Sequence, residues 1–351
     1  YLILAPLAAV SGAHIRLAFY LANSLLMVAI FAGSVALMRQ VGLRLSISQR
    51  LLLAALLLLW GPIHTAIRTG QISELLIAVL LWGVLWQLRR QWFLAGVALG
   101  IASALKPHLG LPILLVTAVR PDWRSVICAC CVGAGILAAV VLRLRLAGHP
   151  WLGDLRRNVA QFTGPGGYGD PGGAERSAHL ILSLPTLLQA TYNEPTAASM
   201  ISWAVSLAVA ISVLAVEFRR SQRSYSSDFL VVALIATLTL LPMYHRYYDA
   251  VLLIFPLLWV LSRIWAGTAG RAVAVTAACL LVFLLPNTAA VIYEVVESRL
   301  PQALVDTAPW LVLVSYHQVW IVLVVVAALA WEQRRAGERE VQWRSAETSN
   351  S

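Results

Sequence analysis

Three short polar clusters in an otherwise apolar chain carry the groups able to bind an anion and move a proton. The densest, Pro242-Met243-Tyr244-His245-Arg246-Tyr247-Tyr248-Asp249, places a histidine, an arginine and a carboxylate within five residues, among three tyrosines. His245 and Arg246 suit the neutralisation of a departing phosphate, and Tyr248 suits stacking on a sugar face or holding its hydroxyls. Tyrosines in such a place also fit an interfacial belt. The second cluster, Lys106-Pro107-His108, contains the single lysine among the 26 Lys and Arg residues. A compact ammonium at a broken helix binds phosphate as a point charge, and the competing reading is a lysine reaching for the membrane interface. The third comprises His64, Arg68, Gly70, Gln71, Ser73 and Glu74. A Gly-Gln-Ile-Ser turn opening a helix offers free backbone N–H donors and the positive end of the helix dipole, or else is a tight turn capped by Ser73.

These clusters need rigid elements to hold them, and the composition says which. Of 351 residues, 60% are hydrophobic and 12% charged, against about 45–50% and about 25% in soluble domains. No soluble core hides that much apolar surface. The apolar runs lack the alternation of barrel strands, which leaves an all-α polytopic transmembrane bundle. Eleven apolar segments can be drawn: 17–38, 51–67, 72–88, 93–105, 109–119, 125–147, 199–217, 229–241, 249–265, 272–293 and 311–331. Pro107 is expected to break the fourth run from the fifth, since an interior proline removes a hydrogen bond and clashes with the preceding turn. Just before it, Gly96, Gly100, Ala102 and Ala104 form a small-residue face that lets helices approach closely.

The +10 net charge does not indicate nucleic acid, because the arginines fall in short clusters between apolar runs rather than on one basic face. Counted by loop, 16 of the 26 cations fall on one side if the chain enters from outside the cytoplasm and Pro107 does break its run. That orientation makes residues 1–331 one transmembrane domain with 148–198 as a long extracytoplasmic loop. Residues 1–16 are then a lead-in, its first ten re-entrant or interfacial, and 332–351 a disordered, charged cytoplasmic tail. The Gly- and Pro-rich centre of the loop, Gly164 to Gly173, fits a lid or a plain tether, and Leu180 to Gln189 has a helical pattern. Cys128, Cys130, Cys131 and Cys279 sit inside apolar runs, where thiols act as small hydrophobes rather than as a zinc signature.

Taken together, Gly70-Gln71-Ile72-Ser73, Arg89-Arg90, Leu94-Ala95-Gly96-Val97-Ala98-Leu99-Gly100, Ala104-Leu105-Lys106-Pro107 and a basic Trp-Arg turn resemble the core pattern of glycosyltransferase family 87. The likeness spans about residues 1–125 and returns weakly near His245. It implies the GT-C membrane fold and inverting transfer of a sugar, mannose in many members, from a polyprenyl-phosphate donor on the outer face of the cell membrane. The acceptor would be a glycan or glycolipid. By this resemblance the catalytic aspartate lies in a loop upstream of Tyr1. The chain departs from the mannosyltransferase pattern before His245, where Leu241-Pro242-Met243-Tyr244 stands in place of Ser-Pro-x-Ser-Trp.

The site residues expected on these grounds are His245, with Asp249 as substitute base; Lys106, Arg246 and Arg68 for the donor phosphate; and Gln71 and Tyr248 near sugar or acceptor. Cations alone can hold a phosphate, so no metal or other cofactor is expected. A relative using lipid-linked arabinose, or protein serine or threonine as acceptor, stays open. A transporter of lipid-linked intermediates would show inverted repeats and mid-membrane charges in both halves, and neither is visible.

Overall fold

The computed structural model describes residues 12–118, 123–164, 181–192, 194–219, 224–285, 287–305 and 307–349. Among these the chain is helical throughout, with no strand and one isolated antiparallel bridge, Ile181 to Arg246. The first half runs α1 Gly12–Gln40, α2 Ile47–Leu58, α3 Gly61–Thr69, α4 Ser73–Leu88, α5 Trp92–Leu105, α6 Pro107–Ala118 and α7 Trp123–Leu146. The long loop carries α8 Trp151–Thr163 and α9 Leu184–Tyr192, the latter overlapping the stretch expected to be helical. Then follow α10 Pro195–Arg219, α11 Tyr225–Leu238, a 3-10 turn Tyr247–Leu253 leading into α12 Ile254–Trp265, α13 Arg271–Leu281, several short turns, and a C-terminal helix His317–Ser349.

Among the described residues, four helices are long and apolar enough to cross a membrane: Leu17–Gln40, Trp123–Leu146, Pro195–Phe218 and Tyr247–Trp265. Two bent pairs, Ile47–Leu58 with Gly61–Thr69 and Ala308–Ser315 with His317–Ala336, raise the count to six if each is one span. Five shorter apolar helices of 10–17 residues account for most of the other segments drawn from the sequence. At 1.5 Å per residue, such helices reach about 15–25 Å, less than a full bilayer core. The Tyr247–Trp265 span is 78% buried, whereas Trp123–Leu146 is 11% buried. The former is therefore the bundle's axis and the latter its lipid-facing wall, where Leu137 and Leu142 stand exposed.

The break at Pro107 is present. A residue before proline is pushed out of the helical region, and Lys106 sits at φ −142°, ψ 89°. Pro107 then opens α6, where its missing N–H costs nothing. Gly96 of α5 lies against Ser125 and Cys128 of α7, and Gly100 against Ala129 and Val132, so both contacts advance in the same sense along the two helices. Hence α5 and α7 run parallel, and α6 must turn back between them. One continuous span over 93–119 would have made α5 and α7 antiparallel. The small-residue face thus serves close packing, as its composition suggested.

Elsewhere local rules hold. Ser46 and Gln49 form a capping box at α2, and α3 ends at Gly70 in the left-handed region, φ +64°. Residues 332–349, expected to be a disordered tail, instead continue the C-terminal helix. Their Glu, Arg, Gln and Ala content is strongly helix-forming, so their charge does not unwind them. Residues 1–10 and most of the Gly- and Pro-rich loop centre lie outside the described residues.

Gly61 is where the fold is least forgiving. A Cβ there would run into the Leu285 carbonyl and come within 2.5 Å of the Tyr247 hydroxyl, which donates to that same carbonyl at 2.8 Å. Gly61→Ala is expected to cost about 1–3 kcal/mol by overpacking, read as a lower thermal midpoint of the purified protein. Gly135→Ala, with nothing within 4 Å of the new methyl group, is the matched control and is expected to be neutral or to stabilise by up to about 1 kcal/mol.

Candidate active site

The polar clusters converge where the start of α4, the α5–α6 break and the turn before α12 meet. Because Pro107 forces Lys106 out of helical geometry, its side chain leaves the α5 axis and reaches two groups at once. Its ammonium donates to Ser73 Oγ at 2.8 Å and to Asp249 Oδ1 at 2.6 Å. The Lys106 and Asp249 side chains are 11% and 6% exposed, so the pair is desolvated. The same nitrogen lies 4.8 Å from the centre of the Tyr248 ring, a cation–π distance.

Ser73 is the first residue of α4 rather than its cap. The capping position is Ile72, without a side-chain hydrogen bond, and the Ser73 hydroxyl serves Lys106 instead. A cation at a helix N-terminus opposes the helix dipole, so its place there calls for negative charge beside it. Asp249 answers by binding it directly, and a second acidic side chain, Glu74, lies 1% exposed in the first turn of α4. Glu74 Oε1 has no hydrogen-bond partner.

His245 is fully buried. Its Nε2 lies 3.0 Å from the Thr239 carbonyl, and its Nδ1 faces Asp249 Oδ2 at 3.5 Å. The ring of His108, from the first turn of α6, stands 5.2 Å away, centre to centre. His108, His245 and Asp249 thus bring three ligand-type atoms within 4.8 Å of one another. The turn that carries His245 is tied down by main chain: Leu182 N–H donates to the His245 carbonyl at 2.7 Å, and Leu184 N–H to the Leu241 carbonyl at 2.9 Å.

Of the residues expected from sequence, the structure gathers Lys106, His245, Asp249 and Tyr248 into one cluster. Arg246 sits at its edge, half-buried, with Nε donating to the Tyr244 hydroxyl and the guanidinium 5.8 Å from that ring. Arg68 and Gln71 are not drawn in. Arg68 is exposed at the end of α3 and makes no side-chain polar contact among the described residues, and half-buried Gln71 makes none either. Arg143 and Arg145, at the end of α7, are exposed as well. Two members of the cluster are absent from the site residues expected from sequence: Ser73, read there as a helix cap, whose hydroxyl partner is 33 residues away, and His108, which is 137 positions from His245. The local signals of the assembly are the i,i+4 spacing of His245 and Asp249 and the pairing of Lys106 and His108 around Pro107.

A family model for glycosyltransferase family 87 matches residues 1–246, more than two thirds of the chain, and so covers Ser73, Lys106, His108 and His245. The chain belongs to glycosyltransferase family 87. No curated protein sequence and no solved structure matches it. Membership of family 87 makes this helical membrane protein a glycosyltransferase, with a sugar donor and an acceptor as its substrates. Tyr248 and Asp249 lie just past the matched residues, although in space they close the same cluster.

Proposed function

We propose that this family 87 enzyme transfers a sugar, mannose first among the candidates, from a polyprenyl-phosphate donor to the hydroxyl of a glycan or glycolipid acceptor. The reaction inverts the anomeric centre and takes place on the extracytoplasmic face of the cell membrane. The observation that carries the reading is the placement of Lys106: the chain's one lysine, nearly buried, at a helix N-terminus beside His245 and Tyr248. Such a group is suited to a phosphate that arrives from the lipid side.

In the reaction the acceptor oxygen forms a bond to the anomeric carbon and gives its proton to a base. The bond from that carbon to the phosphate oxygen breaks, and polyprenyl phosphate leaves with the electron pair. Lys106 stabilises the charge that grows on the leaving phosphate, Arg246 adds to the positive rim, and Tyr248 presents a ring face to the sugar. Asp249 aims Lys106 and His245. For Asp249 itself to take the acceptor's proton, its 2.6 Å pair with Lys106 would first have to open, which the arriving phosphate can bring about by competing for the ammonium.

The test is a donor panel. Purified protein in lipid nanodiscs is incubated with polyprenyl-phosphomannose, the corresponding lipid-linked glucose and arabinose, and nucleotide-activated mannose. Transfer from a lipid-linked sugar and none from the nucleotide sugar is the expected result. Transfer from the nucleotide sugar alone would overturn the donor assignment.

A further inference from the structure

We propose that His108, His245 and Asp249 form a site for a divalent transition-metal ion, zinc first by its donor set, with an open position facing the substrate phosphate. The inference begins with the tautomer of His245. A carbonyl oxygen only accepts, so the 3.0 Å contact with Thr239 requires the hydrogen on Nε2. In the neutral ring the lone pair then falls on Nδ1. That atom is fully buried, has no hydrogen-bond partner and points at Asp249 Oδ2. Two acceptors facing each other in a dry place repel unless something positive lies between them.

The spacing says what that is. A charge-assisted N–H···O bond is about 2.7–2.9 Å, and the observed separation is 3.5 Å. Two ligand atoms on a tetrahedral zinc ion with bonds of about 2.0–2.2 Å stand roughly 3.3–3.6 Å apart. The half-buried His108 supplies the third atom, within 4.8 Å of the other two. The supports of a metal site are also in place. Ligating histidines give their second N–H to a carbonyl or carboxylate, and ligating carboxylates are themselves hydrogen-bonded. Thr239 provides the first, and Lys106, itself held by Ser73, provides the second. Two histidines and a carboxylate leave a fourth position open, as in zinc sites that do chemistry.

Charge points the same way and, in this one respect, rests on the donor reading above. Lys106 and Asp249 cancel, and an imidazole bound to a metal is neutral. A divalent ion turns the centre net positive, complementary to the single negative charge of a sugar phosphodiester, whose oxygen would take the open position.

The experiment measures metal without any donor, so its result stands apart from the donor panel. Protein stripped with a chelator is titrated with Zn2+ and counted by mass spectrometry, and Co2+ substitution is followed by its ligand-field bands. Wild type is expected to hold close to one equivalent, with bands of low-symmetry tetrahedral cobalt. His108→Ala, at the half-buried ligand, is expected to weaken binding at least tenfold while the thermal midpoint of the metal-free protein stays near wild type. His245→Asn is the second variant, and Cys128→Ser the control expected to bind normally. If wild type takes up no zinc, or if His108→Ala and His245→Asn bind as tightly as wild type, the site does not exist.

Discussion

Lys106→Ala is expected to lower sugar transfer by about 100- to 1,000-fold, with a smaller change in the apparent affinity for donor. Removing one preorganised donor from a charge-developing centre costs about 2.7–4 kcal/mol of transition-state stabilisation, and here the group lost is a full cation in a water-poor setting. Lys106→Arg is expected to remain far below wild type. The ammonium fits between Ser73 at 2.8 Å and Asp249 at 2.6 Å beneath the Tyr248 ring, and a planar five-donor fork cannot occupy that point-like position. The measurement is turnover with the lipid-linked sugar that the donor panel selects. Activity within threefold of wild type in Lys106→Ala would remove Lys106 from the reaction.

The second large effect is on stability. Asp249→Ala is expected to destabilise the protein by about 3–5 kcal/mol, because it strands a buried ammonium without its counter-charge. Lys106→Met alone does the reverse and strands the carboxylate. The double variant Lys106→Met/Asp249→Leu removes both charges and is expected to regain most of the loss, as buried ion pairs replaced by apolar groups of like volume commonly do. A double-mutant cycle by thermal unfolding in detergent gives the coupling, expected to exceed about 1.5 kcal/mol. Activity should not return with stability. Purely additive losses would mean that the two side chains do not pair in the folded protein.

The sequence made the skeleton of this site legible and left its closure hidden. Lys106 stood out as the only lysine, and Pro107 supplied a physical reason for its exposure to a partner. The break and the Gly96–Gly100 face both appear where those residues put them. The apolar segments were visible, but not their lengths. Whether a run makes a full span or a short helix depends on packing partners, and the count resolves into four to six long or bent spans plus five short helices. The partnership of Ser73, Lys106, His108 and Asp249 joins three separate elements, and no periodicity links positions that far apart. Arg68 and Gln71 had the right chemistry in the right turn. α3 ends at the left-handed Gly70 with Arg68 exposed, and Gln71 makes no side-chain polar contact among the described residues. Side-chain direction around such a glycine is a tertiary outcome.

The stitch between Leu182, Leu184 and the backbone flanking His245 carries a genetic consequence. Because amides and carbonyls make it, it asks no polar side chain of those positions, and the buried leucines at 182 and 184 are left to packing alone. Proline is the exception: at 182 or 184 it deletes the donor itself and would release the turn that aims the imidazole.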